Sequence, residues 1–177
     1  MSAEITETIA GVLKQWSQER IDNAKELLVN QGVPNTSPLN QSIMTTELKV
    51  EGLNIGIGFE ANNYYIYLDE GVKGLANKAK TSGLFSFKTP FVGRKMVDSI
   101  ALYLPRYPAK PRKEGLPKLN KNNINSAAWA VAKSVKQSGI NQKPFWKPTF
   151  NEAAFNDLAA RLEDALGGDI NLTLTIE

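Results

Sequence analysis

Residues 48–59 read LKVEGLNIGIGF, and the spacing of apolar side chains in this stretch decides the fold class. Leu48 and Val50 alternate with Lys49 and Glu51. Leu53, Ile55, Ile57 and Phe59 then repeat the alternation on the far side of Glu51-Gly52. A period of two on both sides of a turn predicts an antiparallel hairpin with one buried face. Gly56 and Gly58 leave the other face of the second run bare, which predicts a close neighbour or a bend there.

Helices are read on both sides of the hairpin. Upstream, Ile5, Ile9, Val12, Leu13, Trp16, Ile21, Ala24, Leu27 and Leu28 keep helical spacing over Glu4–Asn30. Ser2 is placed to cap this helix, Glu4 and Glu7 favour its first turns, and Gly32 and Pro34 end it. Such a helix is about 40 Å long, enough for one end to project or to lie on another chain. Asn35 to Gln41 reads as a polar loop. Downstream, Tyr64 to Leu68 fits a strand or a short helix, with the helical turn preferred. Val72 to Lys88 reads as a loop, with Leu84, Phe85 and Phe87 as a short strand. Val97, Ile100, Ala101 and Leu104 predict a helix stopped by Pro105.

Pro105 to Asn123 holds four prolines and no periodicity, which predicts an extended arm or long loop. Ile124, Ala128, Val131 and Val135 predict another helix, stopped at Gly139. Gln142 to Pro148 reads as a rigid turn. Thr149 and Glu152 have capping-box spacing ahead of a helix carrying Phe155, Leu158, Leu162 and Leu166 and closed by Gly167-Gly168. The alternation of Ile170, Leu172, Leu174 and Ile176 predicts a last strand that joins the hairpin's sheet. The class is therefore α+β: a long N-terminal helix, a small antiparallel sheet including the hairpin and the C-terminal strand, and further helices packed on it. It is read as a single domain over residues 1–177, with an arm at about 105–123.

Composition narrows the function. The 177 residues are 42% hydrophobic and 22% charged, with a net charge of +3, the balance of a globular protein whose DNA contacts, if any, come from local patches. No apolar run approaches the roughly 20 residues of a membrane span. Met1 to Ala10 lacks the order of a signal peptide, so synthesis in the cytoplasm is expected. The chain has no Cys and no His. That removes the usual zinc sites, thiolate nucleophiles, Ser-His-Asp triads and histidine acid–base catalysis. No cofactor or metal is expected, and an enzyme is the weakest of three readings. It would be a metal-dependent nuclease built on Asp69 and Glu70, a pair read instead as a surface or interface ion pair.

Three regions are candidates for contact. Tyr64, Tyr65 and Tyr67 suit base stacking or, preferably, core and interface packing. Phe145 and Trp146, between prolines, read first as core and second as a subunit contact. Between Arg106 and Lys121 lie six basic residues and one acid. Of these, Arg106, Lys110, Arg112 and Lys113 are the contact candidates. Docking on a neighbouring protein and a solvated loop weigh equally for this arm, ahead of contact with phosphates. Gly71 to Gly74 lacks the spacing of a phosphate loop, and Arg94-Lys95 reads as a solvated pair.

The order of these pieces resembles the head–tail joining and tail-completion proteins of tailed bacteriophages. Members carry a Tyr-Ala-x-Tyr-Val-Glu-Phe-Gly-like segment and a later Gln-Pro-Phe-Leu-x-Pro-Ala-like one. Tyr64 to Gly71 is similar to the first, with Glu70 and Gly71 as its Glu and Gly and no aromatic between them. Pro144, Phe145 and Pro148 match the second. The helix from Ile124 to Ile140 resembles versions from phages of Bacteroidetes, including crAss-like ones. The resemblance implies a non-enzymatic homo-oligomeric ring in the virion neck. Such a ring binds portal or adaptor on one side and tail proteins on the other, around a channel for genomic DNA. The contacts expected of such a subunit are placed on Tyr64, Tyr65, Tyr67, Glu70, the arm, Phe145 and Trp146. The alternative is a DNA-binding protein that uses the basic arm 106–121.

Overall fold

The computed structural model describes residues 3–51, 54–76, 84–105 and 123–167. In chain order these form α1 (Ala3–Asn30), α2 (Pro38–Ser42), β1 (Met44–Thr45), β2 (Lys49–Glu51), β3 (Asn54–Gly56) and β4 (Phe59–Glu60). There follow α3 (Tyr65–Asp69), β5 (Val72–Lys73), β6 (Phe85–Ser86), α4 (Arg94–Tyr103), α5 (Ile124–Ser138), β7 (Gly139–Ile140), α6 (Trp146–Thr149) and α7 (Glu152–Leu166). The fold is mixed α+β with a long N-terminal helix and small sheets. Where the sequence reads as one domain, contacts divide the chain into two compact units. One comprises Met1–Asp69 and Lys143–Glu177, the other Glu70–Gln142. Ser2, the arm from Arg106 onward and the last strand lie outside the described residues.

In the first unit α1 is the spine. It ends where the sequence says, through a Schellman motif: Gly32 has φ 79°, its N–H donates to the Val29 carbonyl, and the Val33 N–H donates to the Leu28 carbonyl. Leu28 is fully buried and Val33 packs on the same cluster, the apolar contact such a motif makes. One core joins Ile21, Ala24 and Leu28 of α1 to Leu39, Ile43 and Phe145. A second joins Leu13 and Trp16 to Ala154, Leu158 and Leu162 of α7, with Leu48, Ile55, Ile57 and Phe59 packed on it. The hairpin is antiparallel as predicted, pairing Lys49 with Gly56 and Val50 with Ile55. β1 pairs with β4 further from the turn, on the segments that flank β2 and β3. At Gly58 the bare face meets a close neighbour: an added Cβ would stand 2.9 Å from Thr46 Oγ1, which accepts the Gly58 N–H. Gly56 has open space.

Two expectations are corrected here. Asn35 to Gln41 is not all loop. Ser37 caps α2 by accepting the Asn40 N–H at 3.2 Å, Pro38 begins the helix, and Leu39 and Ile43 enter the core. The cap of α7 is Asn151, not Thr149. Asn151 Oδ1 accepts the Ala154 N–H at 2.9 Å, while Thr149 is buried and donates its hydroxyl to the Phe145 carbonyl at 2.6 Å.

Arg161 crosslinks α7 to α1. Its Nη2 lies 2.8 Å from Glu19 Oε2, and its Nε donates to Asp157 Oδ1 at 3.1 Å. The hydrogen bond from Arg161 holds the Glu19 carboxyl below its ordinary value of 4.5, against partial desolvation. Because the folded-state value is the lower one, the pair stabilises the fold above about pH 4.5 and loses that contribution as pH falls through the lowered value. Both side chains are about one-third exposed, so solvent screening holds the effect below about 1 kcal/mol. Urea midpoints at neutral and acid pH are expected to converge slightly in Glu19→Gln relative to the parent. An unchanged acid sensitivity would remove this pair as a contributor.

In the second unit, α4 and α5 pack through Val97, Ala128 and Ala132. The strands form a three-stranded sheet in the order β6-β5-β7, with β5 parallel to β6 and antiparallel to β7. Val72-Lys73 is therefore strand rather than loop, and the strands among the described residues fall into three small sheets. Glycine makes the β5–β7 crossing possible. Gly139 has φ 86°, and a Cβ there would collide with the Val72 carbonyl oxygen. An open apolar recess of about 300 Å³ lies between Ser99, Ile100, Leu104 and Val131. No helix among the described residues is long and apolar enough to cross a membrane.

Candidate functional site

The segments Tyr64–Gly71 and Pro144–Pro148 stand far apart in sequence, and α3 and α6 come from them. The structure brings these two helices together against the C-terminal half of α1. The bracket is Asp69, which is 3% exposed. Its Oδ1 accepts the Phe145 N–H at 2.7 Å and the Trp146 N–H at 2.8 Å. These two groups head a four-residue helix whose own N-cap, Phe145, makes no side-chain cap bond. Asp69 thus supplies, from 76 positions away, the capping oxygen that an N-cap side chain normally provides. The carboxylate charge also strengthens both hydrogen bonds.

Three further contacts fix the joint. The Lys143 N–H donates to the Leu68 carbonyl at 2.8 Å. Gln31, just past the end of α1, donates through Nε2 to the Pro144 carbonyl at 2.7 Å, and its own carbonyl accepts Lys143 Nζ at 2.7 Å. Tyr65 and Trp146 then face each other with centroids 4.8 Å apart, and Trp146 continues to Phe150 at 4.7 Å. Phe145 is fully buried beside Ile21, Ala24 and Leu28.

The contact candidates therefore separate. Tyr65 and Trp146 are half-buried partners, and Phe145 belongs wholly to the core. Tyr64, just before α3, and Ile66 and Tyr67 on it stand 43%, 38% and 45% exposed. Glu70 is buried, at 9% exposure, and opens the second unit. Of the pair read as a surface or interface ion pair, both Asp69 and Glu70 are buried, and Asp69 is bound to main-chain N–H groups. Arg106, Lys110, Arg112 and Lys113 lie outside the described residues. Arg94 forms an exposed pair with Asp98 at 2.9 Å within α4.

Sequence reasoning missed Gln31 and Lys143, which clamp the joint, and missed the role of Asp69. No local pattern announces a cap donated across 76 positions. Among the described residues no group of three or more His, Cys, Asp or Glu is arranged to hold a metal ion. These contacts hold α3 against α6. No family model, curated protein or solved structure matches the chain.

Proposed function

We propose that this chain is a structural subunit of a tailed-phage particle, forming a homo-oligomeric ring at the head–tail junction. The ring links portal or adaptor to the tail, surrounds the passage of the genome, and is made in the host cytoplasm before it enters the virion. One observation carries the reading. The two segments on which the resemblance to neck and tail-completion proteins rests pack against each other through Asp69 and the Tyr65–Trp146 ring pair. Their joint leaves Tyr64, Ile66 and Tyr67 outward. Tyrosine is enriched where proteins meet, since it offers a large apolar body with a polar tip at low entropic cost. A ring requires two different faces on each subunit. Under this reading the outward residues of α3 belong to one of them.

The test is the oligomeric state of the purified chain alone and mixed with portal rings, read by native mass spectrometry, together with immunogold labelling of virions. Closed rings and label confined to the neck are expected. Deleting residues 108–116 is expected to abolish ring assembly while leaving hydrogen-exchange protection of α1 and α7 unchanged. A chain that stays monomeric in both conditions and is absent from virions would end the proposal.

A further inference from the structure

Charge is divided sharply between the two units. Glu70–Gln142 contains 14 Lys and Arg against 3 Asp and Glu, a net of +11, while the rest of the chain holds 7 against 15, a net of −8. The overall +3 conceals a strongly basic module inserted in an acidic one. The module's few acids do little to offset its surface: Glu70 is buried, and Asp98 is bonded to Arg94. Three of its described lysines come from two neighbouring segments, Phe87–Thr89 and α5. Lys136 Nζ lies 4.7 Å over the Phe87 ring and donates to the Thr89 carbonyl at 3.2 Å. Lys88 sits between those two residues in sequence and is exposed. Lys133, also exposed, lies three residues before Lys136 on α5 and so neighbours it on the helix surface. The Lys73 carbonyl accepts the Phe87 N–H at 3.1 Å, which ties this segment to β5.

We propose that the Glu70–Gln142 unit binds the phosphate backbone of duplex DNA without reading its sequence, through the patch formed by Lys88, Lys133 and Lys136. The proposal does not depend on the ring. Lysine outnumbers arginine 11 to 3 in this unit. Mobile point charges suit a continuous polyanion, whereas discrete carboxylates on a protein partner favour the bidentate fork of arginine. The acidic remainder repels the same polyanion, so binding is confined to this unit.

Fluorescence anisotropy of the full-length chain with labelled duplexes of two unrelated sequences is the experiment. Equal affinities are expected, falling about a hundredfold between about 50 and about 200 mM salt if some four phosphates are neutralised. Lys88→Gln with Lys133→Gln, two exposed positions, is expected to flatten the log–log salt slope by about two. Lys14→Gln with Lys49→Gln, in the acidic unit, is expected to leave it unchanged. No binding at low salt, a marked preference between sequences, or an unaltered slope in the first pair would overturn the proposal. So would salt-sensitive self-association without DNA in a chain that ignores duplex, an outcome that assigns the patch to the acidic unit of a second copy.

Discussion

Trp16→Ala is expected to cost about 4 kcal/mol, the range for emptying a large aromatic site from a packed core. Trp16 is 1% exposed. Its ring meets Phe59 edge-on at 6.0 Å and Phe155 at 5.7 Å, so one side chain joins α1, the paired strands and α7. Its indole N–H also donates to the Ala154 carbonyl at 3.2 Å. Alanine would remove all three contacts and leave a void that rigid helices cannot close. Trp16→Phe keeps most of the volume and loses the hydrogen bond, so a smaller cost of about 1–2 kcal/mol is expected. Hydrogen exchange gives the sharper readout. Protection should fall in α1, α7 and the hairpin while α4 and α5 keep theirs, because their core of Val97, Ala128 and Ala132 shares no residue with that of Trp16. Equal loss of protection in both units would mean that the chain unfolds as one cooperative body.

Much of this fold is legible in the sequence, for reasons that differ by element. α1 declares itself through nine apolar residues at helical spacing and a Gly-x-Pro stop, and its observed bounds differ from the reading by one residue at the start. The hairpin declares itself through alternation either side of Glu51-Gly52. The short elements do not. α2 has five residues, too few for periodicity, and its Ser37-Pro38 start is lost in a run of polar residues. β5 and β7 have two residues each, and they are strands only because distant chain segments supply their hydrogen bonds. Thr149 and Asn151 both offer capping oxygens, and burial decided between them: the core claimed Thr149. The site shows the same division. Tyr65 and Trp146 stand out by residue type, yet nothing local says that they touch. The division of charge is legible in the sequence only once the boundaries of the inserted unit are known.

Asp69→Ala is expected to cost about 3 kcal/mol, because it strands two N–H donors at once. The Phe145 N–H is buried with its side chain, and the Trp146 N–H has Asp69 as its acceptor at 2.8 Å. Water would have to enter the joint to replace the carboxylate. Asp69→Asn keeps an acceptor oxygen at the same reach but gives up the charge assistance, so about half that loss is expected. The ordering Ala worse than Asn worse than Asp, read from urea midpoints, separates a capping role from a merely buried carboxylate, for which the neutral amide would be tolerated as well as or better than the acid. The pair also probes function. If α3 presents Tyr64 and Tyr67 to a neighbouring subunit, loosening its anchor in Asp69→Asn should weaken ring formation at temperatures where the rest of α1 and α7 stays protected. Tyr64→Ala with Tyr67→Ala should weaken ring formation by a different route, since neither residue is part of the buried core. Rings that form equally well in both variants would leave α3 as scaffold and move the interface to the arm.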